Sequence, residues 1–117
     1  MLKLYDPWEN IFQSIQNRQR DPDLLYYASD IEQSMGFTDS DMETVIERAF
    51  QACSTMHITI EDHFKPIYRT DNSHELLNDW KLSSLACYLL IMNANPANTN
   101  VAKVQLFFAG KNFHTHL

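Results

Sequence analysis

The chain has 117 residues, of which 44% are hydrophobic and 21% charged, and its formal net charge is −6. That is the composition of a folded globular chain, and it excludes a disordered polyelectrolyte. With only two glycines, a glycine-rich phosphate loop cannot be built, and long flexible linkers are not expected.

One domain spanning residues 1–117 is the expectation for this length. Its charge is unevenly spread. Ten of the fifteen acids precede residue 61, against the four bases Lys3, Arg18, Arg20 and Arg48; beyond it five acids meet the five bases Lys65, Arg69, Lys81, Lys103 and Lys111. An acidic first half lowers the expectation of DNA binding, which draws most of its affinity from phosphate contacts. Cys53 and Cys87 both fall within apolar helical patterns, where a free thiol acts as a small hydrophobe. The first residues do not read as a signal peptide, and the apolar run Leu85 to Met92 is too short to span a membrane. A cytoplasmic protein with reduced thiols follows as the expectation.

Asp6-Pro7 reads as a helix start, with a capping acid and a proline suited to the first turn. Trp8, Ile11, Phe12 and Ile15 then share one helical face. Asn17 to Asp23 reads as a loop. Leu24 to Tyr27 reads as a short strand entering a helix capped by Ser29 or Asp30, carrying Ile31 and Met35 and stopping at Gly36. Thr38 or Asp39 opens the next helix, in which Met42, Val45, Ile46, Ala49, Phe50 and Cys53 follow the amphipathic template.

From His57 to Tyr68 the pattern changes. Ile58 and Ile60 alternate with polar neighbours, and Pro66 excludes regular helix. A second extended piece near Asp79-Trp80-Lys81, beyond a turn over Thr70 to Glu75, predicts a small β-hairpin. Leu82-Ser83 opens a helix apolar on nearly every side, the expected central buried helix, 82–94. Asn95-Pro96 repeats the cap-plus-proline device, and a last helix runs from about Ala97 to Phe108, ended by Gly110. The fold class is therefore α+β, predominantly α: about five helices round a central one, with a small β-hairpin.

No motif in the sequence specifies a reaction. Nucleophile elbows, Walker loops and dinucleotide fingerprints are absent. Ser83 and Ser84 read as helix-capping residues, and the acids at Asp39, Asp41 and Glu43 favour a helix dipole. His57 and His63, with Glu61 and Asp62 between them, and the tail pair His114 and His116 match no familiar zinc spacing. No catalytic residue, cofactor or metal is expected. The aromatics Tyr26, Tyr27, Phe64, Tyr68 and Trp80 lie among Lys65, Arg69 and Lys81, a pattern suited to stacking on nucleic acid or to ordinary hairpin packing.

Four stretches follow one another in order, within a region from Leu25 to about Phe108. They are Tyr26-Tyr-Ala-Ser-Asp-Ile31 with Met35-Gly-Phe-Thr-Asp39, Val45-Ile-Glu-Arg-Ala-Phe-Gln-Ala-Cys53, Ile60-Glu-Asp-His-Phe64, and Lys81-Leu-Ser-Ser-Leu-Ala-Cys-Tyr-Leu-Leu-Ile-Met-Asn-Ala-Asn-Pro96. This order resembles the DNA-damage-inducible protein D (DinD) family and the related phage antirepressor, BRO-N-like domains. The resemblance implies an accessory role in phage or DNA-damage responses, through DNA or a DNA-associated protein, without enzymatic activity. Two departures remove positive charge: Ser84 and Leu85 stand where the family often has an arginine and an aromatic, and the last helix is followed by Ala109-Gly-Lys-Asn-Phe-His114.

The expected function is thus a small regulatory, antirepressor-like or inhibitor-like module. It would bind a protein partner, a transcription regulator or DNA-repair component, through the acidic residues Asp30, Glu32, Asp39, Asp41, Glu43 and Glu47. A homodimer is compatible with this. The alternative is direct DNA binding through Lys65, Tyr68, Arg69, Trp80 and Lys81.

Overall fold

The structure is a computed structural model and describes residues 6–16, 24–70 and 73–113. The tail histidines His114 and His116, the loop from Asn17 to Asp23 and part of the turn between Thr70 and Glu75 lie outside them. Five helices and three strands follow one another as α1 (Asp6–Gln16), β1 (Tyr26–Tyr27), α2 (Ala28–Met35), α3 (Asp39–Thr55), β2 (Phe64–Thr70), β3 (Leu76–Leu82), α4 (Ser84–Met92) and α5 (Thr99–Phe113), with a 3₁₀ turn at Ile60–Asp62. This is the expected α+β class, rich in helix and holding the expected hairpin.

The sheet is antiparallel, in the order β1-β3-β2. β2 and β3 pair along their whole length, from Phe64 opposite Leu82 to Thr70 opposite Leu76, whereas β1 pairs only Tyr26 with Leu82 and Tyr27 with Lys81. Strand side chains alternate between faces. One face therefore carries Tyr26, Phe64, Trp80 and Leu82, and the other Tyr27, Lys65, Ile67, Arg69, Asp79 and Lys81. Pro66 sits on the edge strand, where its missing N–H is tolerated.

The first of these faces packs on the helices. Phe50 of α3 meets Phe64 and Trp80 edge-on, at centroid distances of 4.9 and 5.6 Å. Ala86, Cys87, Leu90 and Ile91 of α4 are fully buried and join one core with Trp8, Ile11, Phe12, Met35, Ala49, Cys53, Val101, Val104 and Phe108. Phe108 is ringed by Trp8, Phe12, Tyr88 and Phe107. Both cysteines are buried and outside any disulfide, and burial raises the Cys53 thiol.

α4 is central but shorter than expected. Leu82 is still in the strand, Ser83 caps the helix through its hydroxyl to the Ala86 N–H, and the helix ends at Met92. Its apolar character also exceeds its burial, since Leu85, Tyr88 and Leu89 are half-buried and Met92 is exposed.

Three cap assignments differ from the sequence reading. Ser29 and Asp30 lie inside α2, whose N-cap position is Tyr27 with no side-chain cap; the carboxylate of Asp79, fifty residues away, takes that place by accepting the Ser29 N–H at 3.0 Å. α5 is capped by Asn98, which accepts the Asn100 and Val101 N–H groups, while Asn95 closes a turn onto the Ala97 N–H. Gly110 does not stop α5, which runs on to Phe113.

The signals at Gly36 and Thr38 hold. Gly36 ends α2 with φ 71°, the left-handed conformation that glycine adopts without strain. Thr38 opens α3 with a capping box, bonded reciprocally to Asp41. Replacing Leu90, which is wholly buried, with alanine should lower unfolding free energy by about 3 kcal/mol, measured by urea denaturation.

Candidate functional site

α2 and α3 are joined by the three residues Gly36 to Thr38, the connectivity of a helix-turn-helix. In DNA-reading examples the second helix enters the major groove beside the phosphates. Here that helix exposes Asp39, Asp41, Glu43 and Glu47 against one base, Arg48, which is turned onto the Asn93 carbonyl at 3.1 Å.

Asp39, Glu43 and Glu47 recur every four residues. Each step turns by about 40° and rises about 6 Å, so the three form one stripe along α3. Glu32 of α2 joins it at the Asp39 end. Burial first, then a hydrogen bond and repulsion from Asp39, push the Glu32 carboxyl above its ordinary value. Asp30 is exposed on α2, and Asp41 lies away from the stripe, engaged with Thr38. Among the described residues, none of these six acids makes an ion pair. Like charges four apart on a helix repel, so α3 holds the stripe at some expense of stability.

The five basic and aromatic residues expected to act together do not share a surface. Trp80 is half-buried on the inner sheet face against Phe50. Tyr68 is on that same pleat face, near the hairpin end, and is 76% exposed. Lys65, Arg69 and Lys81 are on the other face. Period-two alternation separates them, as the register of odd and even positions dictates.

Arg69 is committed internally. Its Nη1 donates to Asp79 Oδ2 at 3.1 Å and to the Ser29 hydroxyl at 2.8 Å, and its guanidinium lies 4.1 Å from the centre of the Tyr27 ring. Asp79 is buried and accepts in addition the Ser29 hydroxyl at 2.6 Å and its neighbour Trp80 N–H at 2.7 Å. Burial alone would raise the Asp79 carboxyl. The hydrogen bonds from Ser29, Trp80 and Arg69 outweigh it and hold the carboxyl below its usual range.

Lys65 and Lys81 sit directly opposite each other on β2 and β3, and neither makes an ion pair among the described residues. Tyr27 of β1 completes the row, 5.8 Å from the Lys81 amine.

Elsewhere, a groove of about 450 Å³ lies between α3 and the α4–α5 connection, lined by Phe37, Asp41, Val45, Arg48 and Pro96 among others. Its two charged groups already serve the Thr38 cap and the Asn93 carbonyl. His63 bonds the Ser83 hydroxyl through Nδ1 at 2.7 Å, but that serine is buried and caps α4. His57 ends α3 with φ 57°. Among the described residues no three His, Cys, Asp or Glu side chains gather to hold a metal ion, and no helix is long and apolar enough to cross a membrane.

The chain resembles DNA damage-inducible protein D. Over 69 residues it is 39% identical to the protein of that name from Escherichia coli (strain K12). The match spans 56% of this chain and 25% of that relative, so the chain corresponds to about a quarter of its length. The expected likeness to DNA-damage-inducible protein D is thereby borne out, and nothing in the comparisons extends it to BRO-N-like domains. No family model and no solved structure matches the chain.

Sequence reasoning missed Asp79 and Ser29. Asp79 drew notice only as part of an extended piece, yet an acid within an aromatic strand is a signal that it needs a partner. Asp79→Ala should cost about 3 kcal/mol, the low end for breaking a buried pair because Arg69 is partly exposed. A carboxyl lowered in the folded state contributes stability above its unfolded pKa of about 3.9, and loses it as pH falls through the folded value. Below about pH 4 the gap between wild type and Asp79→Ala should therefore close, followed by denaturation across a pH series. Glu32 has the opposite sign. Glu32→Gln should stabilise at pH 7 by less than about 1 kcal/mol, and the gain should fade as acid protonates the wild-type carboxyl.

Proposed function

We propose that the chain is a non-catalytic regulatory module of the DNA-damage response that acts by binding a protein partner. The likeness to DNA damage-inducible protein D supports the response. The acid-bearing helix-turn-helix carries the mode of action: Asp39, Glu43 and Glu47, with Glu32 beside them, occupy the exposed part of the helix that would otherwise approach phosphate. A duplex would be repelled there. A basic protein surface would be attracted, and complementary charge would set register and speed of encounter.

The partner that fits is a transcription regulator or repair component whose own nucleic-acid-contacting surface is basic. The module would cover that surface, an antirepressor-like or inhibitor-like action by competition. The mechanism needs no bond-making residue. It needs a rigid helix, and α3 has one through its capping box at Thr38 and the burial of Met42, Val45, Ala49 and Cys53.

A photo-crosslinking residue at exposed Gln51, beside the stripe, tests this in cells before and after DNA damage. The expected product is a crosslinked polypeptide enriched after damage, reduced at least about tenfold by Glu43→Lys with Glu47→Lys. Recovery of nucleic acid instead, or of the same polypeptide from the charge-reversed variant, overturns the proposal. Purified protein should leave duplex DNA unshifted in low-salt electrophoresis. A shift abolished by Lys65→Ala with Lys81→Ala would transfer the function to direct DNA binding.

A further inference from the structure

The outer sheet face presents an arrangement that its own chain leaves unsatisfied. Lys65 and Lys81 are directly opposed across β2 and β3, and like charges in that position destabilise a sheet. Neither has an anionic partner among the described residues. Arg69, on the same face, is neutralised by Asp79, so the free charge is confined to the two amines beside Tyr27. Neighbouring strands lie about 4.8 Å apart, which sets the spacing of the row Tyr27, Lys81, Lys65.

The same chain carries a matching comb of opposite sign. Glu43 and Glu47 are four residues apart on α3, a rise of about 6 Å, and both are exposed and without an ion pair. A helix laid across the strands, with its axis along the row, would set Glu43 over one lysine and Glu47 over the other. The half-exposed Tyr27 would floor the contact at the end of the row nearest β1.

We propose that the Lys65–Lys81 row receives the α3 acidic stripe of a second copy of this chain. α3 packs through Phe50 on the inner sheet face, and the lysine row is on the outer one. The proposed contact joins unlike patches, the stripe of one copy and the row of the next. The interface is head-to-tail, and each added copy leaves one lysine row and one acidic stripe open at the ends. Charge complementarity selects this occupant. A polyanion would reach the lysines only alongside a molecule of net charge −6, whereas the stripe offers carboxylates at matching spacing. This inference is independent of the damage-response partner. It adds that self-assembly covers the stripe, so that a foreign partner must compete for it.

Sedimentation velocity of the purified chain over a concentration series tests it. Wild type is expected to form species growing beyond a dimer at low salt and to return to monomer near 1 M salt, where screening leaves a range of about 3 Å. Lys65→Ala with Lys81→Ala, and separately Glu43→Gln with Glu47→Gln, should each be monomeric while keeping the wild-type circular dichroism. Mixed in equal amounts, the two variants should form a discrete one-to-one complex, because one retains the stripe and the other the row. Wild type that stays monomeric at low salt overturns the proposal, as does a variant that still assembles or a mixture that does not pair. A single-stranded oligonucleotide bound by monomeric wild type, and released by the lysine substitutions, would assign the row to nucleic acid instead. Loss of the damage-dependent crosslink with self-assembly intact would sink the partner reading alone.

Discussion

The buried carboxylate of Asp79 ties the start of α2 to the hairpin, parts of the chain fifty residues apart. It accepts from the Ser29 backbone, the Ser29 hydroxyl, the Trp80 backbone and Arg69. A carboxylate taken out of water is tolerated only when its lone pairs are filled by good donors, and here four fill them. The first turn of α2 is thereby fixed to the middle of β3, although β1 contributes only two residues of strand. Arg69, in neutralising the acid, also covers one side of the Tyr27 ring. Together with the β1–β3 pairing and the packing of Phe50 on Phe64 and Trp80, this group sets α2 and α3 against the hairpin.

Around that node the charges are sorted by face. Carboxylates line α3, Lys65 and Lys81 cross the outer sheet without an ion pair among the described residues, and Arg69 of β2 is paired with Asp79 of β3. A module that bound nucleic acid through its second helix would need the reverse distribution. The proposed partner contact relies on this sorting and on a capped helix that presents charge at fixed intervals.

Much of this fold could be read from residue order. The amphipathic repeat of Met42, Val45, Ala49 and Cys53 located α3, and Thr38 with Asp41 declared its start. The unbroken apolar run after Ser83 located the central helix, because a helix greasy on most sides must be enclosed. Local chemistry failed where a distant group had taken over a local task. Ser29 and Asp30 look like caps, but Asp79 supplies the cap from fifty residues away, and no local pattern encodes that distance. Asn95-Pro96 resembles a helix start, yet Asn98 reaches the N–H groups three residues later. Gly110 has the composition of a stop, but the packing of Val104 and Phe108 carries α5 past it.

The candidate surface was legible in part. Asp30, Asp39, Asp41, Glu43 and Glu47 are exposed whereas Glu32 is half-buried, and the spacing of Asp39, Glu43 and Glu47 already implied one helix face. The basic cluster was not, because proximity in sequence says nothing about pleat side. Only the pairing of Lys65 with Lys81 reveals which residues share a surface and why Trp80 and Tyr68 cannot join them.

Because the N-terminus of α2 is completed by a strand that lies beyond α3, the two-helix unit is not a self-sufficient peptide. Cut out or grafted onto another scaffold, it would start with unbonded amide groups and without the aromatic floor under Phe50. The hairpin is in this sense a splint for the helices. Any transplantation that hopes to preserve the presented face must carry residues from Tyr26 through Leu82 together.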